Sequence, residues 1–80
     1  MKRIGLTVHP DDNVTTLLDF EVGATQTQDG YPVAPGIPFG HKVARCKIGR
    51  GDSIVKYGVV IGIATADIDT GEHVHVHNCQ

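Results

Sequence analysis

The sequence predicts an all-β domain of short, bent strands joined by tight turns. Three observations carry this. Apolar and β-branched residues fall in brief runs, at 14–18, 43–46 and 61–66, too short for stable helices. A turn unit recurs along the chain. Near the end, His73, Val74, His75, Val76 and His77 alternate with the two-residue period of a strand.

Each element follows from local chemistry. Residues 2–8 read as a first strand. Asp11, Asp12 and Asn13 are helix-capping residues, but the β-branched Val14, Thr15 and Thr16 and the early Gly23 favour a strand after them. Asp29-Gly30 is a hairpin signal between residues 25–28 and 31–33. Pro32, Pro35 and Pro38 with Gly36 and Gly40 mark a loop. Residues 59–64 are apolar on both parities with Gly62 inside, the pattern of a buried strand with a bulge or bend.

The recurring unit is Asp19-Phe20-Glu21-Val22-Gly23, Lys47-Ile48-Gly49-Arg50-Gly51 and Asp67-Ile68-Asp69-Thr70-Gly71. Each holds a charged residue, a large apolar one, and a glycine three positions later. The expected reading is strand, tight turn, strand. The apolar residue plugs the core and the glycine supplies positive φ. A single 3₁₀-type turn is the most such a unit can hold. The spacing is irregular, so this is a pseudo-repeat within one fold rather than a solenoid.

The chain has 80 residues, enough for one domain (1–80) with a core of Val, Ile, Leu and Ala and no tryptophan. Seven basic and nine acidic side chains give a net charge of −2 with neither sign clustered, which argues against nucleic acid as a partner. No apolar run is long enough to span a bilayer, and His9, Pro10, Asp11 and Asp12 cut off any signal-peptide core after Met1-Lys2-Arg3. The expected location is the cytoplasm. Cys46 and Cys79 then read as free thiols, Cys79 as a loose terminal one, with membership of a metal site two residues beyond His77 as the alternative.

If the tail is extended, His73, His75 and His77 share one face, with alternate side chains roughly 6.5–7 Å apart, and are the candidate metal ligands. The bland alternative is a solvated strand face that carries histidines. Gly40 precedes His41 and Lys42, which offer a cation and donors to a carboxylate, and Asn78 orients a histidine or contacts a hydroxyl. His41, Lys42 and Asn78 are thus the candidate substrate contacts. His9 reads as structural.

The strings Gly40-His41-Lys42-Val43-Ala44, Ile54-Val55-Lys56-Tyr57-Gly58, Ile61-Gly62, Ala64-Thr65, Asp67-Ile68 and Gly71-Glu72-His73-Val74-His75-Val76-His77-Asn78 carry a resemblance. Together with Asp12-Asn13-Val14 they resemble the SAF domain of altronate dehydratases, galactarate dehydratases and the small subunit of sulfolactate sulfo-lyase. The resemblance is strong over residues 40–78 and weak over 24–38. It implies a β-clip fold, loss of water from a sugar acid, and a divalent metal, iron(II) or manganese(II).

The resemblance also implies a large catalytic subunit, since the chain stops at Gln80 and the long members do not. The expectation is a small subunit or N-terminal domain, inactive alone, that contributes to binding a metal or a small sugar acid. The alternatives are the small subunit of a carbon–sulfur lyase acting on a sulfo-acid, a non-catalytic binding module, and a stand-alone metal-binding protein. An unfilled partner face would also let the chain form a homodimer when alone.

Overall fold

A computed structural model describes all 80 residues, and every strand pair in it is antiparallel. No helix is present, so none is long and apolar enough to cross a membrane. Six short strands form: β1 (Gly5–Leu6), β2 (Val14–Leu17), β3 (Lys42–Ala44), β4 (Ser53–Lys56), β5 (Val59–Ile63) and β6 (His73–Val74). They make a four-stranded sheet, β1-β2-β3-β6, and a two-stranded one, β4-β5. The all-β expectation holds, and the architecture is consistent with a β-clip.

A pseudo-dyad organises the core. Residues 43–55 and 63–75 have the same backbone pairing, twenty positions apart. Ile48 and Ile68 exchange backbone bonds with each other at 2.9 and 2.8 Å, and both side chains are buried. Gly51 N–H donates to Ala64 O and Gly71 N–H to Ala44 O, each at 2.8 Å. Ala64 N–H returns to Asp52 O and Ala44 N–H to Glu72 O. Each half therefore closes its turn on the strand of the other.

The turns themselves are isolated β-turns, not 3₁₀ helix. Asp52 N–H donates to Gly49 O and Glu72 N–H to Asp69 O, with Gly51 at φ +88° and Gly71 at φ +85°. A positive φ at the third residue alone is the type II pattern. The carboxylates of Asp52 and Glu72 fold back to accept from the backbone N–H groups of Gly49 and Asp69. The first of the three predicted units fails: Phe20 is 79% exposed and Gly23 has no positive φ. Ile48 and Ile68 plug the core by facing one another, and Phe20 has no such mate. It stacks on Phe39 at the surface instead, centroids 5.0 Å apart.

Between the sheets, Val14, Ala44, Ile48, Ile54, Ala64, Ile68 and Val74 form the main core. Leu17 and Val43 point the other way and are covered by Val33 and Ile37 from the proline-rich loop. Arg3 fastens that loop. Its guanidinium is fully buried, with Nε on Asp19 Oδ1 at 3.0 Å and Nη1 on Ile37 O at 2.7 Å. The predicted first strand is accordingly short: only Gly5–Leu6 pairs with β2.

The Asp29-Gly30 hairpin forms, with Thr27 N–H on Tyr31 O at 2.9 Å and Gly30 at φ +84°. A second hairpin joins β4 to β5 through Tyr57 and Gly58, both at positive φ (56° and 74°), the type I′ geometry that suits twisted strands. β5 carries the predicted bulge, since Ile54 pairs with Gly62 and Val55 with Val60. Its predicted burial does not hold: Val59, Val60, Ile61 and Ile63 are all exposed. Apolar residues on both parities here reflect an uncovered strand, not an interior one.

Candidate functional site

The histidine tail is extended only at His73–Val74. At His75 the chain turns back, because the N–H groups of Asn78 and Cys79 both donate to His75 O, at 3.1 and 2.9 Å. The predicted strand through His77 is therefore corrected to a strand followed by a tight turn. Val74 is buried as alternation requires, but Val76, on the turn, is 84% exposed.

Asn78 holds that turn. Its side chain is buried, with Oδ1 accepting from His75 N–H at 3.0 Å and Nδ2 donating to His73 O at 2.8 Å. Both ends of the amide are engaged by the backbone on either side of Val74. The arrangement sets His73 and His75 side by side, ring centroids 5.4 Å apart and planes within 14°.

A third imidazole comes from across the sheet. Val43 pairs with His73 and Lys42 with Val74, so His41 arrives opposite His75. The His41 and His75 rings stack at 4.5 Å, and His41 Nδ1 lies 2.9 Å from His73 Nε2. One nitrogen of that pair must carry the proton and the other offer its lone pair. The ligand atoms of His41, His73 and His75 all lie within 4.8 Å of one another, and all three residues are half-buried.

His77 sits beside this group, its ring 5.4 Å from that of His73 and tilted by 48°, but it does not complete a triad with them. His41, assigned from sequence to substrate, thus stands with His73 and His75. No local spacing signals this, since it depends on a register between segments more than thirty positions apart.

Burial, then the charges of His41 and His77, holds the His73 pKa below the ordinary imidazole value. Burial, then His41 and Lys42, does the same at His75. Both rings are thereby biased to the neutral form, with a lone pair available. Lys42 is half-buried and supplies the positive charge next to the cluster. No deep cavity encloses the site. The best-defined cleft, about 210 Å³ and lined by Thr7, Thr15, Thr27 and Arg45 among others, lies towards the opposite end of β3 and shares none of these histidines.

Comparison with known proteins agrees over nearly the whole chain. The profile of the altronate/galactarate dehydratase SAF domain matches residues 4–80. The altronate dehydratase of Bacillus subtilis (strain 168) is 46% identical over 74 residues, covering 89% of this chain and 15% of that protein. That of Escherichia coli (strain K12) is 40% identical over the same length and shares. The (2R)-sulfolactate sulfo-lyase subunit alpha of Paracoccus pantotrophus is 48% identical over 44 residues, 55% of this chain and 66% of that relative. The chain spans about 15% of the length of the dehydratases it matches. On a match from residue 4 to the last residue, the chain belongs to the altronate/galactarate dehydratase SAF domain family.

Proposed function

We propose that this chain is the small SAF-domain part of a sugar-acid dehydratase of the altronate dehydratase kind, inactive alone and working against a large catalytic part. The observation that carries this is the open triad of His41, His73 and His75, whose ring nitrogens lie within 4.8 Å of one another at the edge of a domain with no enclosing pocket. A triad that faces outward needs a second surface to complete it.

The residues fit a divalent metal. Three imidazole nitrogens within 4.8 Å close to ligand spacing with small ring movements, and the turn that carries two of them is fixed by Asn78. An all-nitrogen set suits iron(II) better than manganese(II), which prefers oxygen donors. When bound, such an ion supplies Lewis-acid assistance to the loss of water from a 2,3-dihydroxy acid. His41, His73 and His75 would hold it. Lys42 would meet the substrate carboxylate as a point charge. In the reaction, the proton beside the carboxylate leaves with the neighbouring hydroxyl as water, and the enol product becomes a 2-keto-3-deoxy acid.

A second reading rests on the 48% identity to a sulfo-lyase subunit: the same site would serve loss of sulfite from a sulfo-acid. Offering the assembled enzyme altronate and sulfolactate in parallel separates the two. A cytoplasmic location is part of this reading, and two free thiols suit a reducing compartment.

The test titrates the purified chain with cobalt(II), followed by its visible bands, beside the four histidine variants. His41→Ala, His73→Ala and His75→Ala should each weaken binding at least about tenfold, and His77→Ala much less. Equal losses from His77→Ala and His41→Ala would remove the assignment of His41. Dehydration of a sugar acid by the pure, partner-free chain would refute the proposed division of labour.

A further inference from the structure

The cleft beyond Val43 opens on the same face of the four-stranded sheet as the histidine triad. Val43 is opposed by His73 on one side and by Thr15 on the other, and Thr15 lines the cleft. Past Val43 the chain stays extended, because Arg45 N–H donates to Asn13 O at 2.8 Å. His41 and Arg45 therefore leave one face with Val43 between them, their backbones roughly 13 Å apart. That is too far for one small ligand to touch both.

Arg45 gives the cleft its character. The buried arginine, Arg3, spends its guanidinium on Asp19 and on Ile37 O. Arg45 makes no ion pair. Its Nη1 is fixed on Asp12 O at 2.8 Å, and its central carbon lies 5.8 Å from the centre of the Tyr31 ring. The head group is thus half-buried and aimed, while its charge is unanswered and most of its donor fork is free. Such a group is preorganised for a carboxylate.

The other walls supply hydroxyls. Thr7 Oγ1 and Thr15 Oγ1 lie 2.9 Å apart, so one O–H donates to the other oxygen and the second O–H stays free. Thr27 Oγ1 accepts from Tyr31 N–H at 3.1 Å, which leaves its own O–H free. Gly5 lines the floor, and a Cβ there would come 2.8 Å from Thr15 Oγ1. Its φ is not positive, so this close approach, and not the backbone, calls for glycine. Asp29 stands exposed at the rim as an acceptor. The space, about 210 Å³, equals that of about seven liquid waters.

We propose that this cleft binds a short-chain hydroxycarboxylate, at a site separate from the histidine triad. The carboxylate takes the free edge of the Arg45 guanidinium. The ligand hydroxyls lie among Thr7, Thr15 and Thr27 and donate to Asp29. Asp29 also sets the selectivity, since it repels an anion that has no hydroxyl to offer it. The proposal uses no part of the dehydratase reading.

The test titrates the purified chain with glycerate and follows its amide and arginine Nε–H resonances. Thr7, Thr27, Tyr31 and Arg45 should shift together with a Kd of about 1 mM, and His73 and His75 should not move. Propionate lacks the hydroxyls, glycerol lacks the carboxylate, and sulfate offers charge alone. Each should bind at least about tenfold more weakly. Arg45→Gln should weaken glycerate at least about tenfold. Because that change also frees Asp12 O, Asp29→Asn serves as a second variant at the exposed rim, and it should narrow the gap between glycerate and sulfate. No shift at the cleft overturns the proposal, as do shifts centred on Lys42, His73 and His75. Sulfate or propionate binding as tightly as glycerate overturns the ligand class. An unchanged glycerate-to-sulfate ratio in Asp29→Asn removes its role. The titration reads no turnover, so its outcome is independent of whether the domain serves a dehydratase.

Discussion

At the open end of the β3-β6 half stand His41, His73 and His75; twenty positions away in the β5-β4 half stand Ile61, Ser53 and Val55, with Ile61 at the bulge so that Val60 faces Val55. The backbones agree down to an unusual detail. Asn78 clamps His73 O and His75 N–H, and Asn13 clamps Ser53 O and Val55 N–H in the same way, at 2.9 and 2.8 Å. Asn78 reaches only three and five residues back, whereas Asn13 comes from forty or more residues away. The frame thus fixes where side chains point, and residue identity alone decides whether that place has chemistry. A clamp drawn from the adjoining turn makes the histidine end self-contained. The distant clamp ties the other end to β2.

The strongest way to break this comparison is at the two turn glycines. A Cβ on Gly71 would lie 2.6 Å from Pro32 O, while one on Gly51 meets nothing within 4 Å. Gly71→Ala should cost about 3–5 kcal/mol, from φ strain plus a clash with backbone that cannot retreat. Gly51→Ala should cost about 1–2 kcal/mol, from φ strain alone. Urea melts of the two variants give the difference directly, and equal midpoints would show that the halves are not packed as described.

The clamps come next. Asn78→Ala strips partners from His73 O and His75 N–H and should lose about 1–3 kcal/mol. It should also weaken cobalt(II) binding, because the turn that aligns the two rings is released. Asn13→Ala should lose a similar or smaller amount of stability and leave metal affinity unchanged. Calorimetry with and without cobalt(II) separates the two effects.

The smallest expected effect concerns Asp12, whose place before the clamp is taken by His77 in the histidine half. Burial works to raise its pKa, but N–H donors from Gly58, His9, Tyr57 and Val8 outweigh it and hold the carboxyl below its ordinary value. A folded pKa below the unfolded one gives stability that is present at neutral pH and lost as pH falls through the carboxylate range. Tm should therefore drop below about pH 4. In Asp12→Asn the acid side of that curve should be shallower, and an unchanged curve would mean the Gly58 contact is not formed in solution.

Much of this architecture was legible in the sequence, and the failures share a cause. The units around Ile48 and Ile68 were visible because the turn chemistry is local: a carboxylate to fold back and a glycine for positive φ. The unit around Phe20 has the same local signature, yet a plug needs an opposing plug, which no local pattern records. β5 reads as interior because hydropathy reports what a strand prefers to touch, not whether the neighbour is there. Alternation put His73, His75 and His77 on one face. It could not register that Asn78 would bend the chain at His75, nor that antiparallel register would bring His41 across.

Each half of the pseudo-dyad closes its turn with hydrogen bonds to the other, so neither is a stable fragment by itself. Ala44 must find Glu72, Ala64 must find Asp52, and Asn13 must find Val55 before either turn is secured. Loop closure over such separations precedes any reward in contacts, which places folding on the millisecond-to-second scale of intertwined β proteins rather than the microseconds of helical bundles. A nascent chain would therefore leave this domain unstructured until the histidine turn had been synthesised.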